Sequence, residues 1–400
     1  MHLLVNFAFY LPYFNSFSGQ VKTMRSICPG FEPVPLISDL DVYDTSSPDP
    51  KTLPDFCFYS SGVDLNSTDP WPLMDMFIEW RVNAKRDAYR ETFVANEKFD
   101  YDSDKAFKLR GHMFSFAARI MDSQHRLFVF AVDIYGDRAR LYRFDPSSVV
   151  VSEPILFRKD SKPLDQFFLR YSSASPAERG HDPTIIPATV AEKVLFQKRV
   201  VEYLERAERN NLRTHPDVTM ISNEVFRVQV NDADDEIHWY LACKSGKVPS
   251  DRSPCGRFTR GFIATPVLQD ASASVHYKEG EDKPNLFWLK DSWRASSKES
   301  EISIYRKLKA KGIPNLPEIF YAGDICDGSI LQSTLNDSVL CEGSHPWARP
   351  TKPIRHMIHH RIVSELLIPF TSVGTPRELL LVGRDVLTGK SFSLIYLVGS

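Results

Sequence analysis

The stretch Gly256-Arg-Phe-Thr-Arg-Gly261-Phe-Ile263 constrains this chain more than any other. Two glycines five residues apart, set between strand-like segments, let a backbone turn sharply and come close to another group. A loop of that kind can cradle phosphates through its N–H groups. It is not a Walker A loop, because Phe262 stands where that loop needs its lysine. A plain β-hairpin with glycine turns has the same spacing, so the segment alone leaves both readings open.

The residues that follow add to it. Leu286-Phe-Trp-Leu-Lys290 reads as an apolar strand ending in a lysine. Glu301 then opens an amphipathic helix, with Ile304, Tyr305 and Leu308 at helical spacing behind it. The glycine stretch fits a degenerate GxGxxGxV loop, with Phe258 in place of the middle glycine and Ile263 in place of the valine. Sites of that type need a strand lysine for the α- and β-phosphates and a helix glutamate to hold the lysine in place. The candidate catalytic residues are therefore Lys290 and Glu301. The candidate nucleotide-binding residues are Gly256, Gly261, Ile263 and Lys290. The plainer alternative is a solvated lysine at a strand end and a glutamate favoured by the helix dipole.

Composition sets the frame. The chain has 400 residues, enough for two to three domains with their own cores. Lys+Arg 49 against Asp+Glu 51 gives a net charge of −2, which argues against a general nucleic-acid or anionic-membrane binder. Six cysteines lie far apart with no metal-ligand spacing, so free thiols in a reducing compartment are expected, with no metal among them. The apolar run Leu3–Leu11 is interrupted by Asn6, ended by Pro12 and preceded by no basic residue, unlike a signal peptide. No run approaches the ~18 apolar residues of a membrane span. We expect an intracellular protein, cytoplasmic or nuclear, without membrane contact.

Along the chain, residues 1–50 end in Ser46-Ser-Pro-Asp-Pro50 and read as an extension or linker. Residues 51–175 read as an α+β domain. It has a strand at Phe77–Arg81 and a helix from Lys105 to Met121 with Phe107, Phe114, Ala117 and Met121 on one face. A meander follows at Leu127–Val132, Ala139–Phe144 and Val149–Ser152. The polar, Gly- and Pro-punctuated stretch Ala177–Thr184 reads as a boundary. A second block, 185–361, starts with a helix over Ala188–Asn210 carrying Val190, Val194, Val201 and Leu204 on one face. Val218–Ser245 then alternates in strand fashion around the acidic turn Asp232–Glu236.

With these residues in view, the chain resembles the fungal-type protein kinase family. The match includes Gln124-His-Arg126, Ala139-Arg-Leu141, Arg179-Gly-His-Asp-Pro-Thr184 and Thr259-Arg-Gly261. It continues through Lys290-Asp-Ser-Trp-Arg294, His360-Arg-Ile-Val363 and Glu378-Leu379. The resemblance implies a protein-kinase-like fold, ATP and Mg as cofactors, and phosphoryl transfer to protein Ser or Thr. It makes 185–361 a kinase-like N-lobe with a leading helix, and 362–400 a hinge at Ile362–Pro369 with a partial C-lobe. Trp288 stands two residues before Lys290, where ordinary kinases carry a small alanine against the adenine ring, and an indole in that pocket would block adenine. Gly383-Arg-Asp385 imitates a catalytic loop, but Lys390 stands where the second-metal Asn should be. The family pattern puts Arg384 and Asp385 on a helix before that loop, so the chain reads as truncated and catalytically incomplete.

The first block carries a competing signal. Pro54-Asp55, then Glu79-Trp-Arg81, resemble a PD-(D/E)xK nuclease core, where two carboxylates hold a metal and a lysine orients water. Arg81 replaces the lysine and cannot act as a base. His356, His359 and His360 lie close in sequence, but neighbours on a strand point to opposite faces, and they read as structural.

The fold class expected is α+β: an N-terminal α/β nuclease-like domain, then the kinase-like N-lobe, hinge and partial C-lobe. Three functions follow: a kinase family member inactive in this stretch, a non-catalytic scaffold reusing both domains, or a nucleic-acid-processing protein built on the first. The helix expected over Pro376–Leu387 has an apolar face of Leu379, Leu380, Val382, Val386 and Leu387 with few partners. Self-association through that incomplete lobe is therefore expected. The apolar tail Phe392–Val398 is expected to be poorly ordered or to lie against the first block.

Overall fold

A computed structural model describes residues 25–36, 53–63, 69–81, 87–90, 100–221, 224–232, 234, 236–245, 253–267, 286–337, 354–369, 372 and 374–397. Its contacts divide the chain into two units that interleave in sequence. The first takes residues 1–182, 248–258 and 334–355; the second takes 183–247, 259–333 and 356–400. The expected linker at 1–50 lies mostly outside the described residues, apart from 25–36.

The first unit is built on β1 (Phe31–Pro35), β2 (Phe56–Ser60), β3 (Met74–Arg81), β4 (Val129–Tyr135), β5 (Arg138–Phe144) and β6 (Val149–Val151). The strands lie in chain order in one sheet, antiparallel throughout except that β3 and β4 are parallel. A parallel pair needs a crossover, and α1 (Asp104–Ser123) lies between β3 and β4 in sequence. Ser103 caps α1 by accepting the Ala106 N–H at 3.2 Å. Every residue of β3 is buried, as expected of a central strand covered on both faces. Met76, Ile78 and Trp80 pack with Leu164, Phe168 and Tyr171 of α2 (Lys162–Ser173). On the other face Phe77 meets Phe116 of α1 edge-on at 5.7 Å. The helix register differs from the sequence reading at one position. Phe107 is 72% exposed, and Met113, Phe116, Ala117, Ile120 and Met121 form the buried face.

The second unit is a seven-stranded antiparallel sheet of order β12-β15-β11-β10-β9-β8-β7. Its strands are β7 (Ile185–Pro187), β8 (Val225–Asn231), β9 (Ile237–Lys244), β10 (Arg260–Pro266), β11 (Phe287–Ala295), β12 (Ile319–Asp324) and β15 (Met357–Glu365). A small hairpin, β13 (Cys326–Asp327) with β14 (Ile330–Leu331), stands apart from it. Alternation along the strands builds two cores. Tyr240, Ala242, Phe262, Ala264, Phe287, Leu289 and Val363 form one. Leu241, Cys243, Ile263 and Leu286 form the other, with Phe196 and Val200 of α3 (Val190–Arg209). Gly323 lets β12 curl against the end of β8, since a Cβ there would lie 2.5 Å from the Asn231 carbonyl oxygen.

Four expectations change here. α3 forms where expected, closed by a Thr189/Glu192 capping box. Leu204 of the expected face packs against the core, but the face is otherwise different: Val190, Val194 and Val201 are 82%, 65% and 51% exposed. Val218 belongs to a 3₁₀ turn, Pro216–Met220, rather than a strand, because His215 accepts the Asp217 N–H and Pro216 fits the first turn. Ile362–Glu365, read as hinge, completes β15. α4 (Glu301–Ala310) begins at Glu301 as expected, and α5 (Pro376–Leu397) runs ten residues beyond its expected end, into the tail expected to be poorly ordered or to lie against the first block. Among the described residues no helix is long and apolar enough to cross a membrane.

Candidate functional site

Lys290 lies in the middle of β11 rather than at its end, paired in register with Gly261 on β10 and Ile362 on β15. Burial alternates along β11, so Trp288 and Lys290 share one face while Leu289 and Asp291 share the other. Glu301 is the first residue of α4, whose N-cap Ser300 accepts the Ser303 N–H. The two meet: Lys290 Nζ donates to Glu301 Oε1 at 2.8 Å and Oε2 at 2.6 Å. Their side chains keep 24% and 31% of their exposure, so the pair is open to a solvent-borne ligand. A bidentate, half-open ammonium–carboxylate pair is geometry that a phosphate can engage through the ammonium.

The other named residues divide. Gly261 and Ile263 sit on β10 in the same unit as Lys290. Gly256 belongs to the first unit, where its N–H donates to the Pro146 carbonyl at 2.7 Å and its φ is +118°. Ile263 is 1% exposed and faces Trp288 across the strand pair. A Cβ on Gly261 would lie 2.2 Å from the Trp288 ring, so this glycine makes room for an indole. His215 stacks on the same indole, centroids 5.6 Å apart at 29°. Burial lowers the pKa of His215, partly offset by Asp217. Asp385 lies within α5 and accepts from Arg384 at 2.8 and 3.0 Å.

Two buried carboxylates that sequence reasoning did not single out organise the motif strings. In the first unit Asp75 takes Tyr171 Oη at 2.5 Å, Arg179 Nε at 3.2 Å, Arg126 Nη2 at 3.3 Å and His181 Nε2 at 3.5 Å. Burial pushes its carboxyl up, but these partners outweigh burial and hold it well below the usual range. In the second unit Asp291 takes His359 Nε2 at 2.8 Å, with Arg260 Nη2 and Arg361 Nε both at 3.1 Å. Arg361 continues to Thr184 Oγ1 and the Gln229 carbonyl. The strings Arg179–Thr184, Lys290–Arg294 and His360–Val363 thus contribute to buried networks, one within each unit. The available signal was an acidic residue inside a run with strand character, which is costly unless paired.

His359 and His360 point opposite ways, to Asp291 and to Asp324 Oδ1 at 2.8 Å respectively. In the first unit Asp55 Oδ2 accepts the Trp80 N–H at 2.7 Å, and Arg81 is bonded to buried Asp133. Burial pushes the Asp133 carboxyl up despite that partner. Among the described residues, the one group of three acidic or His side chains close enough to share an ion is Asp232, Glu236 and His238, at the β8–β9 turn. It includes neither Asp55 and Glu79 nor Glu301. The Lys290 ammonium stays partly exposed beside Glu301, and the Trp288 indole packs against the core on the same face of β11.

No curated protein and no solved structure matches the chain. A family model does, described as Fungal protein kinase and matching residues 84–392. The mixed α+β architecture, with a lysine-bearing strand followed by a glutamate-bearing helix, is compatible with a kinase-like fold. On that match, which takes in most of both units, the chain belongs to the fungal protein kinase family.

Proposed function

We propose that Lys290, held by Glu301, is the phosphate-binding lysine of a kinase-type site, and that this stretch binds phosphate without transferring it. The family's kinase-like function names ATP with Mg as ligand and a protein Ser or Thr as acceptor. The single observation that carries the reading is the bidentate Lys290–Glu301 pair at 2.6 and 2.8 Å, open to solvent. Binding without transfer is supported by Asp385, which lies inside a helix and bonds to its own neighbour, where it cannot serve as a loop base.

The test is calorimetry with Mg-ATP alongside radiolabelled transfer to a generic Ser/Thr substrate. Lys290→Met should weaken binding at least about tenfold, as expected when a charge-assisted contact to phosphate is lost. Glu301→Gln should weaken it less, because the ammonium stays while its position loosens. Transfer should stay at background. Unchanged affinity in Lys290→Met would refute the phosphate role, and transfer abolished by that substitution would refute binding without transfer.

A second reading, a protein-binding scaffold, has its own support. The face carrying Trp288 and Ile263 is part of a packed core, and Leu379, Leu380 and Leu381 on α5 are exposed. Those leucines are the contact proposed for a protein partner or a second copy. For the first unit we propose a nuclease-like core without hydrolysis. Three antiparallel strands, α1 and a parallel β4 support the core. Arg81, tied to Asp133, argues against the activity.

A further inference from the structure

Lys290 and Trp288 lie about 7 Å apart along one face of β11, at ~3.3 Å per residue. A nucleotide whose phosphates meet Lys290 and whose base lies along that face sets the base on one side of the lysine or the other. Past Lys290 the face is occupied by charge. Arg294 is clasped to Asp324 at 2.8 and 2.5 Å, and His360 donates to or accepts from the same carboxylate. Glu301 holds the ammonium itself from α4. A flat apolar base therefore belongs at the Trp288 end.

That end is already filled, and the filling is built. The indole lies against Gly261, where any side chain would collide with it. Its other neighbour is His215, stacked at 5.6 Å and itself 5% exposed. The imidazole cannot swing freely, because its Nδ1 accepts the Asp217 N–H at 3.2 Å and so caps the 3₁₀ turn. Asp217 is in turn bonded by the Ser245 hydroxyl. Phe196 and Val200 back the same cluster from α3. An aromatic pair with this support stands where a base would stack, as fixed as any core side chain.

We infer that the Trp288 indole, backed by His215, takes the place of the base, and that the ligand class of this site is a bare polyphosphate rather than a nucleotide. This rests on Lys290 being a phosphate ligand, and the experiment separates the two claims. Affinities of the full chain for sodium tripolyphosphate and for ATP are measured at one magnesium concentration. The wild type should bind both within about threefold, because the base adds no contact, whereas Trp288→Ala should bind ATP at least about tenfold more tightly than tripolyphosphate, as a stacked base would. A wild type that prefers ATP tenfold or more, or a folded Trp288→Ala variant that shows no preference, overturns the inference. If Trp288→Ala does not fold, saturation-transfer NMR of ATP on the wild type decides. Adenine protons should receive no more saturation than ribose protons, and stronger adenine signals would overturn the inference. Tripolyphosphate affinity that is unchanged in Lys290→Met sinks the phosphate reading itself. An ATP preference that Lys290→Met abolishes sinks only the base-exclusion claim.

Discussion

Asp291 has no exposure to solvent and lies within hydrogen-bond distance of Arg260, His359 and Arg361. Burial raises its carboxyl pKa, but the charges of Arg260, His359 and Arg361 outweigh burial and hold it well below the usual range. Replacing it by Asn keeps the shape and removes the one negative charge among those cations. Breaking a buried pair from one side costs about 3–5 kcal/mol. Urea denaturation of Asp291→Asn should show a loss of that size, and a loss below ~1 kcal/mol, the worth of an exposed pair, would show that the cluster is not an electrostatic unit. Asp324 gives a pH signature. Burial pushes it up, but hydrogen bonds from Arg294 and His360 and their charges outweigh burial and hold it at about 2, below its ordinary 3.8. A depressed carboxylate contributes stability that is present above the ordinary value and is lost as pH falls through the folded one. Asp324→Asn should therefore cost about 1–2 kcal/mol at pH 7, after allowance for its partial exposure. The gap from the wild type should close between about pH 4 and pH 2; a gap that stays constant with pH would contradict this.

α3 shows what a sequence can and cannot reveal about an element. Its span and its Thr189/Glu192 capping box are local, and local chemistry is readable. Its orientation depends on which stripe finds a partner. Val190, Val194 and Val201 offer as regular an apolar stripe as Phe196 and Val200, and periodicity cannot rank them. The larger residues bury more area, and Phe196 and Val200 lie against Val225, Leu241 and Ile263. Phe196→Ala should therefore cost about 3–5 kcal/mol and Val194→Ser less than about 0.5. Equal losses measured by thermal or urea unfolding would mean that both faces are covered. The candidate pair was legible for the same reason as the cap. Lys290 and Glu301 stand eleven residues apart at a strand and at a helix start, and both elements announce themselves locally. His215 was not legible as the partner of Trp288, because its place depends on the 3₁₀ turn and the curl of the sheet. Asp75 and Asp291 were hidden for a related reason: a carboxylate in a strand looks like a solvent-facing residue until its cations arrive from distant segments.

At the scale of the whole molecule, the two units do not follow one another along the chain. Residues 334–337 belong to the first unit although they lie within the span read as the kinase-like block. The reason is a set of specific bonds at the β5–β6 turn. Asp145, 1% exposed, accepts the N–H groups of Leu335 at 3.2 Å and Asn336 at 2.9 Å, besides those of Ser147 and Ser148. Asn336 Nδ2 donates to the carbonyls of Arg143 and Ser148, each at 3.0 Å, and its Oδ1 accepts from Arg143 Nη1 at 2.5 Å. Removing residues 334–337 takes away five hydrogen bonds, two of them to the Asp145 carboxylate, which keeps Arg143, Ser147 and Ser148; each is worth roughly 0.5–1.5 kcal/mol, more where a charge is involved. Their sum approaches the ~5–15 kcal/mol that holds a typical domain together. A fragment ending at residue 182 should therefore unfold at much lower urea than the first unit of the full chain, or fail to unfold cooperatively. Asn336→Ala in the full chain isolates the side-chain part and should cost about 2–3 kcal/mol, since three bonds go and two carbonyls lose partners. Hydrogen exchange at the Ser147 and Ser148 amides reads the same event locally. Those amides should exchange faster in Asn336→Ala while the amides of β8 and β9 do not change. A 1–182 fragment as stable as the intact protein would show that the returning segment merely rests on the turn.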